Sequence, residues 1–456
     1  MLMISAAVAL SAATAVAQKE APPAPGPAKN FALPEVRKFD LPNGMRVRLV
    51  HYGDVPKVTI RVTEQTGNVD EGPTEIWLAD LTGEMIQQGT TTRSAEQIQQ
   101  DIASMGGTLD VTTGVNQTSI SSDVFSESAP RAVDLIADVI RNPRFPESEL
   151  ARIKGDLARQ LSIYQSQPQQ IATAKFLSVL YPNQVYGRYF PTAAMLQGYT
   201  LDQVKNYYAK NFGARRGAIY VVGNFDDASV ERQIRNDFSS WTAGAPRTNV
   251  TVTPSMQRSL YVVDRPGAVQ STLFIGLPTL DPTNPDYVPT TVMNALLGGS
   301  FGSRITSNIR EQKGYTYSPF SQLATRLNAG YWVEIADVKT DVTGPSIKEI
   351  LGEIDRLRNA PPSQEELRGI QNYLAGTFVL RNSSRDGIVN QLAFLDLYGL
   401  PEDYLRTYVQ RVYATTPADV QRMAQTYIDP AKISIVVAGD RKVIAQQLAP
   451  YGPIIE

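Results

Sequence analysis

The order of secondary-structure signals runs twice through this chain, and that repetition limits the possible folds more than any composition figure does. In the first run, "KFDLPNGMRVRLVHYG" alternates apolar and polar residues on either side of Pro42-Asn43-Gly44, the pattern of a hairpin. "KVTIRVTEQTG" is a further strand of period two. A helix over residues 77–88 follows, then a second in "SAEQIQQDIASMGG", with Ser94 as N-cap and glycine as the stop. "TLDVTTGVNQTSISSDVF" supplies two strands, and amphipathic helices come next over residues 129–141, 147–164 and 169–180. "LDQVKNYYAKNF", "RGAIYVVGNF" and "DASVERQIRNDFSSW" close the run as helix, strand and helix.

The same order then returns. "SLYVVDRPGAVQSTLFIGLP" reads as two strands, "DYVPTTVMNALLGG" and "SRITSNIREQ" as helices, and "YTYSPFSQLAT" and "GYWVEIADV" as strands. "GPSIKEILGEIDRLRN" and "SQEELRGIQNYLAGTFV" repeat the long helix pair, and "TPADVQRMAQTYI", "KISIVVAGD" and "RKVIAQQLAPYG" repeat the close. The match is one of element order more than identity, yet landmarks coincide: "FPESELARIKGDLARQL" pairs with "PPSQEELRGIQNYLAGT", and "YVVGNFDDASVERQI" with "SIVVAGDRKVIAQQL". The economical reading is an α+β protein of two homologous domains of about 200 residues, related by duplication. Each is expected to be a mostly antiparallel sheet covered by helices. The domains are assigned to residues 36–243 and 257–456, with residues 244–256 as linker.

The N-terminus departs from this pattern. Residues 4–17, "ISAAVALSAATAVA", form a short apolar run ending in small residues suited to cleavage after Ala17. Residues 1–17 are therefore expected to be a removed signal, and the Pro-rich residues 18–35 a tether, which points to a periplasmic or secreted protein. The absence of cysteine is compatible with an oxidising compartment and excludes disulfide and thiol chemistry. A net charge of −2 gives no electrostatic case for nucleic acid, and no apolar run beyond the N-terminus is long enough to span a membrane.

The chemistry centres on "WLADLTGEMIQQGTTTRS", residues 77–94. It has a helix's apolar spacing in Leu78, Leu81, Met85 and Ile86, with Asp80, Gly83 and Glu84 on the remaining positions. Together with "LPNGMRVRLV", "FPESELARIKGDLARQL", "YVVGNF" and "LLGGSFGSRITSNIREQKGYTYS", this stretch resembles the insulinase/pitrilysin-like zinc peptidases, the inverzincins, and their inactive paralogues. The resemblance spans nearly all of residues 39–449.

In active members that helix carries H-x-x-E-H, two zinc-ligand histidines and the general base that deprotonates the metal-bound water. Counting back from Gly89-Thr90 places the histidine positions at Asp80 and Glu84 and the base at Gly83. The third ligand, a glutamate on a later helix, falls on Gln160 when counted back from Pro168. All four positions are substituted, and the sole histidine of the chain is His51, on a strand end without a second candidate ligand. A His₂Glu zinc site cannot be assembled from these residues, so no cofactor is expected in this chain. Asp80 and Glu84 share a helix face, but two carboxylates supply fewer oxygens than Mg²⁺ or Ca²⁺ requires. A solvated or ion-paired role is the expectation for both.

The second domain differs. The resemblance maps an arginine and a tyrosine seven residues later, which complete the active site in the family, onto Arg310 and Tyr317. A guanidinium and a phenol can stabilise the oxyanion built during peptide hydrolysis. The plain alternative is an exposed helix-end arginine and a tyrosine packed in a strand, with Tyr315 as a competitor on the same strand face. "GGSFGSR" (residues 298–304) lacks G-K-[ST] and does not follow a strand, so it reads as a flexible turn between helices and not as a phosphate loop. Arg304 is expected to be structural or a substrate-side contact.

The resemblance thus implies a zinc-free pseudo-peptidase subunit. Its partner would be a homologous H-x-x-E-H subunit that brings the zinc, and its substrate an unfolded peptide held by β-augmentation. The alternative is a non-enzymatic peptide-binding or scaffold protein using the same chamber fold.

Overall fold

The computed structural model describes residues 34–247 and 249–455; the expected signal and nearly all of the tether lie outside them. The first half contributes β1 (Val36–Asp40), β2 (Arg46–His51), β3 (Lys57–Glu64), β4 (Asp110–Thr113), β5 (Thr118–Phe125) and β6 (Gly217–Gly223). They form one sheet in the order β1-β2-β6-β3-β5-β4, antiparallel throughout except for the β2–β6 pair. The second half contributes β7 (Ser259–Asp264), β8 (Gln270–Pro278), β9 (Phe320–Arg326), β10 (Ala329–Lys339) and β11 (Ser434–Gly439). Their order is β7-β11-β8-β10-β9, again with one parallel pair, β7–β11. Dropping β1 makes the two sheets topologically identical, so the duplication read from element order is a duplication of the fold.

Local chemistry explains the individual elements. The hairpin of β1 and β2 turns at Gly44, whose φ of +93° lies where a side chain is unfavourable. Asn43 fixes that turn from the other end of the half by donating to the carbonyls of Phe238 and Trp241 at 2.7 and 3.0 Å. Ser94 caps the Ala95–Ser104 helix in a capping box with Gln97. The Ala129–Arg141 helix keeps its apolar face inward, with Val133, Ile136 and Ile140 buried in the first core.

The halves then exchange a helix. Pro168–Leu180 follows the first half in sequence but lies across β8 and β11 of the second sheet. Its Phe176 ring sits 5.7 Å from both Phe274 and Tyr331, and the Tyr181 hydroxyl donates to the Gly330 carbonyl at 2.9 Å. Reciprocally, Arg385–Tyr398 lies across β3 and β6 of the first sheet, packing Ile388, Val389 and Leu392 with Val50, Tyr220 and Val222. Polar contacts pin it there: Arg385 pairs with Asp123 at 2.9 Å, and Asp396 accepts from the Tyr220 hydroxyl at 2.8 Å. Each sheet is therefore covered on both faces, which is why "GAIYVVG" and "SIVVAG" in β6 and β11 are buried at every residue and do not alternate.

Two features depart from the sequence reading. "YTYSPFSQLAT" becomes a strand only at Phe320; before it, Thr316 makes a single bridge to Val338 and the chain bends at Tyr317. Pro319 has no N–H for a ladder, and the Tyr315 N–H is already committed to the Ile309 carbonyl at 2.8 Å. The helix in "SRITSNIREQ" is partly of the wide π type, over Ser307–Gln312, as is Ala295–Gly299 after the Tyr287–Asn294 helix. Among the described residues no helix is long and apolar enough to cross a membrane.

Candidate functional site

The helix expected over residues 77–88 forms over Leu78–Ile86, with Trp77 just outside it at φ +67°. Trp77 is held by its indole N–H on the Tyr189 carbonyl at 3.1 Å and by an edge-on contact with Tyr164. Leu78, Leu81, Met85 and Ile86 enter the first core as their spacing requires. Asp80, Gly83 and Glu84, the positions that the sequence reading assigned to zinc chemistry, have separate surroundings.

Asp80 faces inward and accepts from the Asn68 amide at 2.6 Å. The same amide reaches Glu71 at 3.1 Å, and Glu71 also accepts the Ala79 N–H at 2.8 Å. Glu71 therefore satisfies a first-turn N–H of the helix, standing in for an N-cap side chain. Burial is the main reason both carboxyls hold their protons strongly; Asp80 rises to about 6 and Glu71 to about 8, each raised further by a neighbouring carboxylate. Sequence reading missed Glu71 and Asn68; the available signal was a helix start without Ser, Thr, Asp or Asn beside it. Gly83 packs against β4, where an added Cβ would lie 2.3 Å from the Thr113 hydroxyl oxygen. Glu84 is exposed and accepts from Gln87 at 3.1 Å.

Gln160 lies on the Glu147–Ser166 helix, which packs beside the Leu78–Ile86 helix, but its amide donates to the Tyr164 hydroxyl at 2.8 Å and to neither carboxylate. His51 is exposed, stacked on Phe225 and paired with Asp227 at 3.1 Å. Among the described residues no group of three or more His, Asp or Glu side chains is arranged to hold a metal ion. The donors present, an amide-bonded inward carboxyl, a surface carboxylate and a glutamine, do not fit the zinc site of the active helix.

In the second half the structure brings Arg310 and Tyr317 together. Arg310 sits near the end of the π-helical turn, and Gly314, at φ +63°, reverses the chain after it. The Arg310 guanidinium carbon lies 4.9 Å from the Tyr317 ring centroid and 4.4 Å from that of Phe301, so the cation contacts both rings, and its Nε pairs with Glu311 at 3.0 Å. Both rings face solvent, Tyr317 at 80% exposure and Phe301 at 66%. Tyr315 does not compete, because it packs against the second core. Phe301 belongs to "GGSFGSR", which the sequence reading weighed for its glycines and not for its aromatic ring. Arg304 makes a two-pronged pair with Glu366 at 2.7 and 2.8 Å, a structural role that fixes this loop to the Gln364–Arg381 helix.

A peptidase-like chain in two homologous halves is the class these observations define, with no zinc-binding donor set on the Leu78–Ile86 helix among the described residues and an arginine beside an exposed tyrosine in the second half. Comparison with known proteins bears on the family and the fold. Residues 46–190 match the family described as insulinase, peptidase family M16, and residues 198–374 match the peptidase M16 inactive domain. An uncharacterized zinc protease of Streptomyces coelicolor is 22% identical over 397 residues, covering 86% of each chain. One from Rickettsia bellii is 25% identical over 327 residues, 71% of this chain and 79% of the relative. Among solved structures, a peptidase M16 inactive domain from Pseudomonas fluorescens superposes with a TM-score of 0.83 at 24% identity, over 89% of this chain and 98% of that one. A protease from Helicobacter pylori gives 0.84 at 18% identity, over 90% and 100%. The chain belongs to the insulinase family, peptidase family M16.

Proposed function

We propose that this chain is a zinc-free pseudo-peptidase subunit that pairs with a metal-bearing homologue and supplies Arg310 and Tyr317 for hydrolysis of unfolded peptides. The observation that carries the reading is the contrast between the two sites. Asp80 is held by Asn68, Gly83 is closed off by Thr113 and Glu84 is a surface carboxylate, whereas Arg310 and Tyr317 lie together, with the tyrosine ring open to solvent and the Arg310 Nε paired with Glu311 at 3.0 Å. When bound in the partner, zinc would supply the activated water. This chain's part is to present a guanidinium and a phenol O–H to the peptide carbonyl oxygen as charge builds there. The π-helical turn and the Gly314 reversal hold the two groups in one place before the peptide arrives. Supporting the reading further are the match to the M16 inactive domain and the relatives named zinc protease.

Export belongs to the same reading: residues 1–17 are a signal cleaved after Ala17, which N-terminal sequencing of protein from the native host would check. The test of the function is reconstitution with a homologue from the same genome that carries H-x-x-E-H. Expected is hydrolysis of an unstructured peptide by the mixture, well above that of either chain alone. Chelator-sensitive hydrolysis by this chain alone would overturn it, as would a mixture no more active than the homologue by itself.

A further inference from the structure

The duplication identifies the second-half counterpart of the substituted catalytic cleft. Gly299-Ser300 corresponds to Gly89-Thr90, so counting back as before sets Asn294 opposite Glu84. Aligning Leu367 with Leu150 sets Thr377 opposite Gln160. Asn294 and Thr377 line the same cavity, of 450 Å³, together with Ser321, Gln322 and Leu323 of β9. That volume lies within the ~300–1,000 Å³ range of ligand sites. Asn294 itself is buried, accepting from the Ser321 hydroxyl and the Trp332 indole at 2.8 Å each, and the cavity opens beside it.

Its chemistry is specific. The walls carry six aromatic rings: Tyr287, Tyr373, Phe378, Phe394, Tyr404 and Tyr408. Arg381 is the only charged side chain among the described lining residues, and no acidic group faces it. Arg381 itself has no hydrogen bond or ion pair among the described residues, whereas the neighbouring Asn390 is already engaged by Arg61 and Asp386. Gln322 and Gln391 add amide donors to the lining. β9 is the outermost strand of its sheet, so the side turned away from β10 offers backbone groups without a ladder partner.

We infer that this cavity binds the C-terminal residue of an extended peptide, an aromatic or branched apolar side chain among the rings and the free α-carboxylate on Arg381. The residues before it pair with the edge of β9. A charge-assisted, two-pronged contact is what an unpaired guanidinium offers a carboxylate, and the mixed lining suits a ligand with one apolar and one anionic end. The inference shares with the proposed function only the premise that the ligand is a peptide; it needs neither a partner chain nor hydrolysis.

The test uses the full chain alone and a fluorescent, unstructured octapeptide ending in Phe, as free acid and as C-terminal amide, with N-acetylphenylalanine as a third probe. Expected is binding of the acid at least ~10-fold tighter than the amide, the scale of one charged hydrogen-bonded contact. Arg381→Gln removes that preference, and Arg368→Gln, on the same helix but outside the cavity, preserves it. Equal binding of acid and amide, or an acid preference that survives Arg381→Gln, overturns the inference. So does N-acetylphenylalanine binding as tightly as the octapeptide, since the ligand is then a small carboxylate. None of these outcomes touches the hydrolysis test of the reconstituted pair.

Discussion

Gly83 faces Thr113 so closely that a Cβ on the glycine would stand 2.3 Å from the threonine hydroxyl oxygen. The position that the family resemblance assigns to the general base is therefore closed by packing as well as lacking a carboxylate, and a glutamate placed there would meet the same obstruction. Ordinarily Gly→Ala inside a helix gains about 1 kcal/mol. Here Gly83→Ala is expected to gain none of it, because Thr113 must leave its rotamer at a cost of ~0.5–1.5 kcal/mol. In a Thr113→Ala background the remaining neighbours stand at 3.7 and 3.9 Å, ordinary contact, and the gain should return. Urea denaturation of the four proteins measures the coupling; a full gain in the Thr113 background would show that the contact does not matter.

Glu71 makes the stability of the first half pH-dependent in a definite direction. Burial, and then the neighbouring Asp80, raise its carboxyl from 4.5 to about 8, so the folded state holds a proton that the unfolded state has released. That contribution is fully present below the unfolded value and is lost as pH rises through about 8. Glu71→Gln keeps an acceptor for the Ala79 N–H and does not ionise. Its stability relative to the parent should therefore increase between about pH 5 and about pH 8, with a limiting slope of ~1.4 kcal/mol per pH unit. Asp80, Glu64 and Glu334, whose carboxyls are also raised, remain in both proteins and largely cancel. A difference between variant and parent that is constant with pH would refute the assignment.

The exchanged helices predict that neither half unfolds first. Phe176 is 1% exposed, and although it lies in the first half of the sequence it packs on Phe274 and Tyr331 of the second sheet. Truncating a buried aromatic ring costs about 3–5 kcal/mol, so Phe176→Ala should lower the stability of both halves together. Trp332 reports on the second half and Trp77 and Trp241 on the first, so single-tryptophan variants can follow each separately. Their denaturation curves are expected to coincide in the parent and to shift together in Phe176→Ala. Two separated transitions, with only one of them moved, would mean that the halves are independent units.

What could be read from the sequence followed the range of the forces involved. Strands such as "KVTIRVTE" and capped helices such as that after Ser94 are set by period and by local hydrogen bonding, and both were legible. The Arg385–Tyr398 helix went unread even though Ser384 caps it and Gly399 ends it in the left-handed region. It lies between the first sheet and its own half, so its apolar residues do not keep to one stripe. The placement of Tyr317 likewise depended on Pro319 and on a backbone bond from Tyr315, which break the strand that alternation suggested. That the Leu78–Ile86 helix carries no histidine was legible in the sequence; what Asp80 and Gly83 do depends on Asn68 and Thr113, which only the fold brings near.

The arginine–tyrosine pair supplies the most discriminating prediction, made on the mixture with an H-x-x-E-H homologue that the proposed function requires. Removing a preorganised donor to a developing oxyanion commonly lowers kcat by ~10²–10³. Tyr317→Phe and Arg310→Ala are each expected to fall in that range, with KM changed far less. Phe301 touches the guanidinium but offers no donor, so Phe301→Ala removes only one of its two ring contacts. An exposed cation–π contact is worth ~0.5–1 kcal/mol, so the loss there should be about 2–5-fold. Tyr315→Phe, a change within the second core, should leave turnover close to the parent. The ordering matters more than any single value. If Tyr317→Phe is as active as the parent, or if Phe301→Ala is as damaging as Arg310→Ala, the pair does not act as oxyanion donors.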